Sequence, residues 1–133
     1  MQEYLGVKII KAEPMTKYDF YESQGKTIPK EDNQHGYKVV YPDGYVSWSP
    51  KRVFEEAYRK TDGITFGLAI EAMNKGLKVR LPHWGADVFI SMQFPDEHSK
   101  MTHKYMYVTS RFGRVPWIPT QIEMLSENYS IIE

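Results

Sequence analysis

Eight residues in the second half of this chain have the types needed to hold a flat, charged small molecule: Arg80, His83, Trp84, Tyr105, Tyr107, Thr109, Trp117 and Gln121. A guanidinium fork can hold phosphate through paired hydrogen bonds, and indole and phenol rings can stack on a purine. Strand alternation would place Arg80 and the outward positions of a hairpin formed by Lys104–Thr109 and Arg114–Trp117 on the sheet face that the core does not use. Each residue also has a plainer reading. Large rings usually pack, so Trp117 reads as a core residue before it reads as a pocket wall, and Trp84 reads equally well either way. His83 reads as a loop residue or a ligand contact, and Arg80 as a phosphate donor or a surface cation.

Catalysis would need more than this. The chain has no phosphate-cradling G-x-x-x-x-G-K-[ST] loop, no G-x-G-x-x-G, no G-x-S-x-G elbow and no H-E-x-x-H. It has no cysteine, hence no thiolate nucleophile, disulfide or cysteine-held metal. His98 and His103 stand five apart in a polar loop, which is not the spacing of a helical metal pair, and His35 lies in another loop. Glu55-Glu56 and Asp96-Glu97 read as solvated acids. The expectation is a binding protein, with no enzymatic activity, cofactor or metal.

The elements that must position these residues follow from periodicity. Tyr4–Ala12 alternates as a half-buried strand, and Thr16 with Asp19 marks the cap of a short helix closed by Gly25. Thr27–Gly36 reads as a loop. Tyr37–Tyr41 and Tyr45–Trp48 form a hairpin around Pro42-Asp43-Gly44, and Ser49 caps a helix begun by Pro50 whose stripe is Val53, Phe54, Ala57 and Tyr58. Lys60–Gly63 is the seam between halves, too short for a flexible linker, so that the halves are expected to touch.

Thr65 caps a second-half helix with Phe66, Ala69, Ile70, Met73 and Leu77 on one face, and Gly76 suits its left-handed stop. Leu77, Val79 and Leu81 alternate with Lys78 and Arg80 in a strand, and Val88, Ile90 and Met92 with Phe89 and Ser91 in another. Phe94–His103 is an exposed loop. Lys104–Thr109 and Arg114–Trp117 form a second hairpin, and Thr120 with Glu123 makes a capping box for a helix with Ile122, Leu125 and Met124 inward. Tyr129, Ile131 and Ile132 close the chain with edge-strand character. The fold class is α+β, made of small antiparallel sheets with short packed helices.

One pattern is written twice. Gly44, Val46, Trp48, Pro50 and Val53 recur at a constant offset as Gly113, Val115, Trp117, Pro119 and Ile122. Each copy reads as a turn, a strand ending in tryptophan and a proline that breaks pairing before a helix, so the chain is read as two related strand-helix-hairpin-helix halves. We place them at residues 1–62 and 63–133.

Composition narrows the partners. Seventeen basic residues balance seventeen acidic ones, which argues against a broad electropositive face for duplex DNA but leaves room for a small anion. No apolar run approaches the roughly 20 residues of a spanning helix, and the start lacks a basic region followed by an apolar core, so the chain is expected to stay in the cytoplasm. Aromatic residues make up 14% of the chain, a surplus for so small a core that suits interfaces or flat-ring ligands.

Residues 64–132 resemble the second type of Thoeris anti-defence protein from phages. The matching stretches are Thr65-Phe66-Gly67 with Ala69 and Ala72-Met73 leading to Lys75-Gly76, then Lys78-Val79-Arg80 with Trp84, then Gly113 through Val115-Pro116-Trp117-Ile118-Pro119-Thr120-Gln121, and Met124-Leu125. The P-W-x-P-[ST]-Q element is the specific part. Leu81-Pro82-His83 stands before Trp84 where the family usually has glycine, and Tyr129 where tryptophan is common.

The resemblance implies a small α+β protein that assembles as a homotetramer. It also implies sequestration, without cleavage, of a glycocyclic ADP-ribose type messenger made by TIR-domain immune proteins in the infected host's cytoplasm. Some relatives hold cyclic oligonucleotides as well. On this reading Arg80 faces phosphate, Trp84 and Trp117 wall the pocket, and Tyr105, Thr109 and Gln121 supply hydrogen bonds. The first half, with Met15-Thr16 and Gly44–Tyr58, is similar to a module of other phage proteins of unassigned role. The alternative is a phage structural or interaction module whose aromatic surface takes no small ligand.

Overall fold

Two antiparallel sheets with short helices make the fold α+β in this computed structural model, which describes residues 1–132. The chain divides into two units, Met1–Tyr58 and Arg59–Glu133. Among the described residues no helix is long and apolar enough to cross a membrane.

The first unit carries strands β1 (Lys11–Pro14), β2 (Gly36–Val40) and β3 (Val46–Pro50) in that spatial order, with helix α1 (Lys17–Ser23) after β1 and α2 (Lys51–Ala57) after β3. The Thr16 hydroxyl accepts from the Asp19 amide at 3.2 Å, capping α1 as expected. Lys17 Nζ lies 2.7 Å from Asp32 Oδ2 and ties the following loop to α1; this hydrogen bond, helped by one from Gln34, holds the Asp32 carboxyl below its usual range. Gly44, with φ +89°, completes the turn between β2 and β3. Trp48 donates its indole N–H to the Met15 carbonyl at 2.8 Å and packs over Gly36. A side chain at Gly36 would collide with that ring and with the Ser49 carbonyl, so this crossing requires glycine.

Three expectations for this unit are corrected. The predicted strand Tyr4–Ala12 forms only from Lys11, and residues 1–10 belong to no helix or strand. Their alternation is strand-like, but β1 begins opposite Val40 and the chain turns immediately after it, so the sheet offers no backbone partner beyond that point. Ser49 does not cap α2. It remains in the ladder opposite Tyr37, and Pro50 is the N-cap without a side-chain hydrogen bond. Of the stripe on α2, Phe54 and Tyr58 are half-buried, stacking in series from Tyr37 with centroids 4.1 and 4.9 Å apart. Val53 and Ala57 are exposed, because this seven-residue helix meets β2 and β3 through its aromatic side alone.

The second unit is a five-stranded sheet ordered β7-β6-β5-β4-β8, with β4 (Lys78–Arg80), β5 (Phe89–Gln93), β6 (Tyr105–Ser110), β7 (Gly113–Pro116) and β8 (Ser130–Ile132). Helix α3 (Phe66–Asn74) lies on β4, β5 and β8, and α4 (Gln121–Met124) follows β7. The Thr65 hydroxyl accepts from the Leu68 amide at 3.3 Å, and Gly76 takes φ +86° beyond the helix end. Ala69, Ala72 and Met73 bury against Ile64, Val79, Leu81, Ile90 and Tyr129, forming one core.

The capping box of α4 is present: Glu123 donates its amide to the Thr120 hydroxyl at 3.2 Å, and the Thr120 amide donates to the Glu123 carboxylate at 2.8 Å. The inward stripe is not. Ile122 and Leu125 are 86% and 78% exposed, and Met124 is also exposed. A single turn cannot present a continuous apolar face, and α4 is anchored by Tyr129, whose phenol donates to the Glu123 carbonyl at 2.6 Å from a fully buried ring.

Burial and then the Glu123 charge push the Tyr129 phenol up from 10 to about 12. The folded state therefore holds this proton more tightly than the unfolded one. Its contribution is whole below pH 10 and disappears as pH rises toward 12. The melting temperature of Tyr129→Phe, which has no such proton, is expected to fall less steeply across that window than that of the parent chain; parallel curves would show that the proton contributes nothing.

Candidate functional site

Register decides which side chains share a face of the second sheet. Ile90 pairs with Val108 and with Val79, Met92 with Met106, and Val108 with Val115. These positions form the helix side, where Val79 and Ile90 are buried and Met92, Met106, Val108 and Ile131 pack on the core. The alternate positions make the outer face. One row across it reads Ser130, Arg80, Phe89, Thr109, Arg114, and the next reads Ile132, Lys78, Ser91, Tyr107, Pro116, with Gln93 and Tyr105 paired beyond.

This face holds three cations, Lys78, Arg80 and Arg114, and three rings, Phe89, Tyr105 and Tyr107. No carboxylate occupies any position in these rows. In a chain whose charges sum to zero, that is a local excess of positive potential beside flat apolar surface. Lys78 Nζ lies 4.8 Å from the Phe89 ring centroid, a cation–π contact that confirms the shared face. Arg80 Nη1 donates to the Ala86 carbonyl at 3.1 Å, which orients the guanidinium and leaves its other N–H groups for a ligand. With strands about 4.8 Å apart, Arg80 and Arg114 are separated by roughly 14 Å, enough to place a planar ring between two phosphate-binding groups.

Two polar groups are sunk into this face. Ser91 is 9% exposed, and the Thr109 Oγ1 atom is buried with no hydrogen-bond partner. An unpaired buried hydroxyl costs on the order of 1–3 kcal/mol, a penalty that a ligand polar group reaching it would relieve.

Of the eight residues singled out from sequence, Arg80, Tyr105, Tyr107 and Thr109 come together on this outer face. Trp117 does not. Its amide donates to the Met106 carbonyl at 3.0 Å, and its ring packs on the core from the helix side, edge-on to Trp84 at 5.8 Å and to Phe66 at 6.1 Å. Trp84 is half-buried in the same cluster, with exposed His83 edge-on beside it at 6.3 Å. Gln121 is exposed at the start of α4. Lys78, Phe89, Ser91 and Arg114 share this face and were not among the eight. The alternation of Phe89 and Ser91 with Ile90 was readable, but not that Phe89 stands opposite Thr109.

The pattern written twice takes related forms in the two units. Gly44 and Gly113 both adopt positive φ, +89° and +119°, at the turn of a hairpin. Val46 and Val115 lie in the returning strands, and a helix follows each proline within two residues. Trp48 stays within β3, whereas Trp117 lies one residue beyond β7.

No curated protein matches the chain in sequence. The Tad2-like family, described as the Thoeris anti-defense 2-like domain, matches residues 64–132, the span that contains the five-stranded sheet, Trp84, Trp117 and the outer face. Because that span is more than half of the chain, the protein belongs to the Thoeris anti-defense 2-like family, and its membership supports a phage anti-defence role.

Proposed function

We propose that this protein binds and sequesters a nucleotide second messenger of the glycocyclic ADP-ribose type, made by TIR-domain immune proteins, and does so without cleaving it. The observation that carries the reading is the carboxylate-free outer face, where Lys78, Arg80 and Arg114 surround Phe89 and Tyr107 within the family domain. The cations meet the pyrophosphate, the rings stack on the base, and Thr109 and Tyr105 bond ribose hydroxyls. A sponge must outcompete the receptor, which asks for nanomolar affinity, about 12 kcal/mol.

One small open face supplies too little enclosure for that, so the pocket is completed between subunits of a homotetramer. Val115, Ile118, Ile122 and Leu125 are 58–87% exposed and offer the apolar surface such an assembly would cover. Exposed His83 and Gln121 then contribute from a neighbouring copy. The same exposed surface also supports a second reading, a protein-interaction module with no small ligand.

A filtration assay separates the two. Purified protein is incubated with lysate from cells whose TIR defence is active, then retained on a membrane and heated. The messenger is expected to vanish from the filtrate and to reappear unaltered, by mass, on heating. A messenger left in the filtrate would support the interaction module, and an altered product would reveal an enzyme.

A further inference from the structure

The first ten residues present a strand without a sheet. Leu5, Val7 and Ile9 alternate with Tyr4, Lys8 and Ile10, and no proline interrupts the chain before Pro14. Tyr4 and Leu5 are nevertheless 91% and 95% exposed, and the segment pairs with nothing in its own sheet. β1 is an edge strand, paired on one side with β2, so its other edge is open, and residues 3–10 lead directly into it. An open apolar edge of this length is a template for another strand.

The sequence of the segment says which strand fits. Set two copies antiparallel with Val7 opposite Val7. Leu5 then meets Ile9, and Glu3 meets Lys11, at both ends of the pairing. Three apolar rungs become five with two ion pairs closing the ends, all on one face. On the other face Tyr4 meets Ile10, an aromatic and β-branched pair of the kind that stabilises adjacent strands, and Gly6 meets Lys8. Once β1 is extended back through these residues, parity puts Leu5, Val7 and Ile9 on the same side of the first sheet as Val40, Val46 and Trp48, so the apolar strip would continue a surface already there. Shifting the pairing by one residue would set Val7 against Gly6 or Lys8 instead of its own copy and break the match at its centre.

We infer that residues 3–11 of two copies of this chain pair antiparallel about a two-fold axis at Val7, joining their three-stranded sheets edge to edge into one six-stranded sheet. This contact is a property of the first unit and does not rest on ligand capture by the second. It is isologous, as closed two-fold assemblies require.

The absence of cysteine makes the test direct. In the full chain, Val7→Cys brings two thiols face to face, where opposed Cβ atoms about 4.5–5.5 Å apart lie close enough for a disulfide to form on mild oxidation. Lys8→Cys, on the neighbouring residue but opposite Gly6, has no facing thiol. A covalent dimer is expected as the main product for Val7→Cys, with at least about fivefold less for Lys8→Cys under the same oxidant. Equal yields from the two variants, or no dimer from either, would overturn the register.

Charge reversal tests the ends. Glu3→Lys sets lysine against Lys11 at both ends and is expected to raise the dissociation constant of this contact about tenfold, read by sedimentation of the full chain, and adding Lys11→Glu should restore it. Association unchanged by Glu3→Lys, or not restored by the second exchange, would overturn the pairing. Both residues are exposed, so neither change threatens folding.

Discussion

Arg80→Ala is expected to weaken capture of an ADP-ribose-type messenger roughly tenfold to a hundredfold while leaving thermal unfolding almost unmoved. The loss is a charge-assisted bond to phosphate, worth about 1.5–3 kcal/mol, and each 1.4 kcal/mol is about tenfold in affinity. Stability is spared because the guanidinium is half-buried on the outer face and its hydrogen-bond partner, the Ala86 carbonyl, lies in an exposed loop that water can serve. Arg80→Lys should fall between, since an ammonium keeps the charge but not the planar fork. Isothermal titration with the messenger decides the matter: affinity unchanged by Arg80→Ala would remove this residue from the site.

Trp117→Ala should do the opposite. Truncating a large packed ring costs about 3–5 kcal/mol, and Trp117, half-buried against Phe66 and Trp84, is expected near the lower end of that range. At about 4–8 °C per kcal/mol for a domain this small, the melting temperature should fall by roughly 12 °C or more. Well below that temperature, capture is expected to stay within about threefold of the parent chain, because the ring lies on the core side of the sheet, away from Arg80 and Thr109. Normal melting with lost capture would reverse this assignment and make Trp117 a ligand ring.

The sequence leaned toward Trp117 as a core residue, yet kept it with Arg80 in a single candidate site. Both belong to the same hairpin-bearing half, and both have the chemistry to touch a nucleotide. What parts them is parity: Trp117 pairs with Met106 on the helix side, whereas Arg80 falls in the row of Phe89 and Thr109 on the other. The exposed stripe of α4 failed for a related reason. Ile122 and Leu125 have helical spacing, but spacing does not reveal that the helix ends after Met124 or that Tyr129 has already taken the place against the core.

The sequence by itself determined what neighbours within a few residues can settle. Thr16, Thr65 and Thr120 cap their helices because each hydroxyl meets an amide three positions on, and Gly44, Gly76 and Gly113 adopt left-handed backbone that other residues resist. The family motif, too, is local and was legible over residues 64–132. Only the tertiary structure decided which strands lie side by side, and so which cations share a face with which rings. Pairing joins residues as distant as Arg80 and Ser130, and their separation along the chain carries no trace of the register that brings them together.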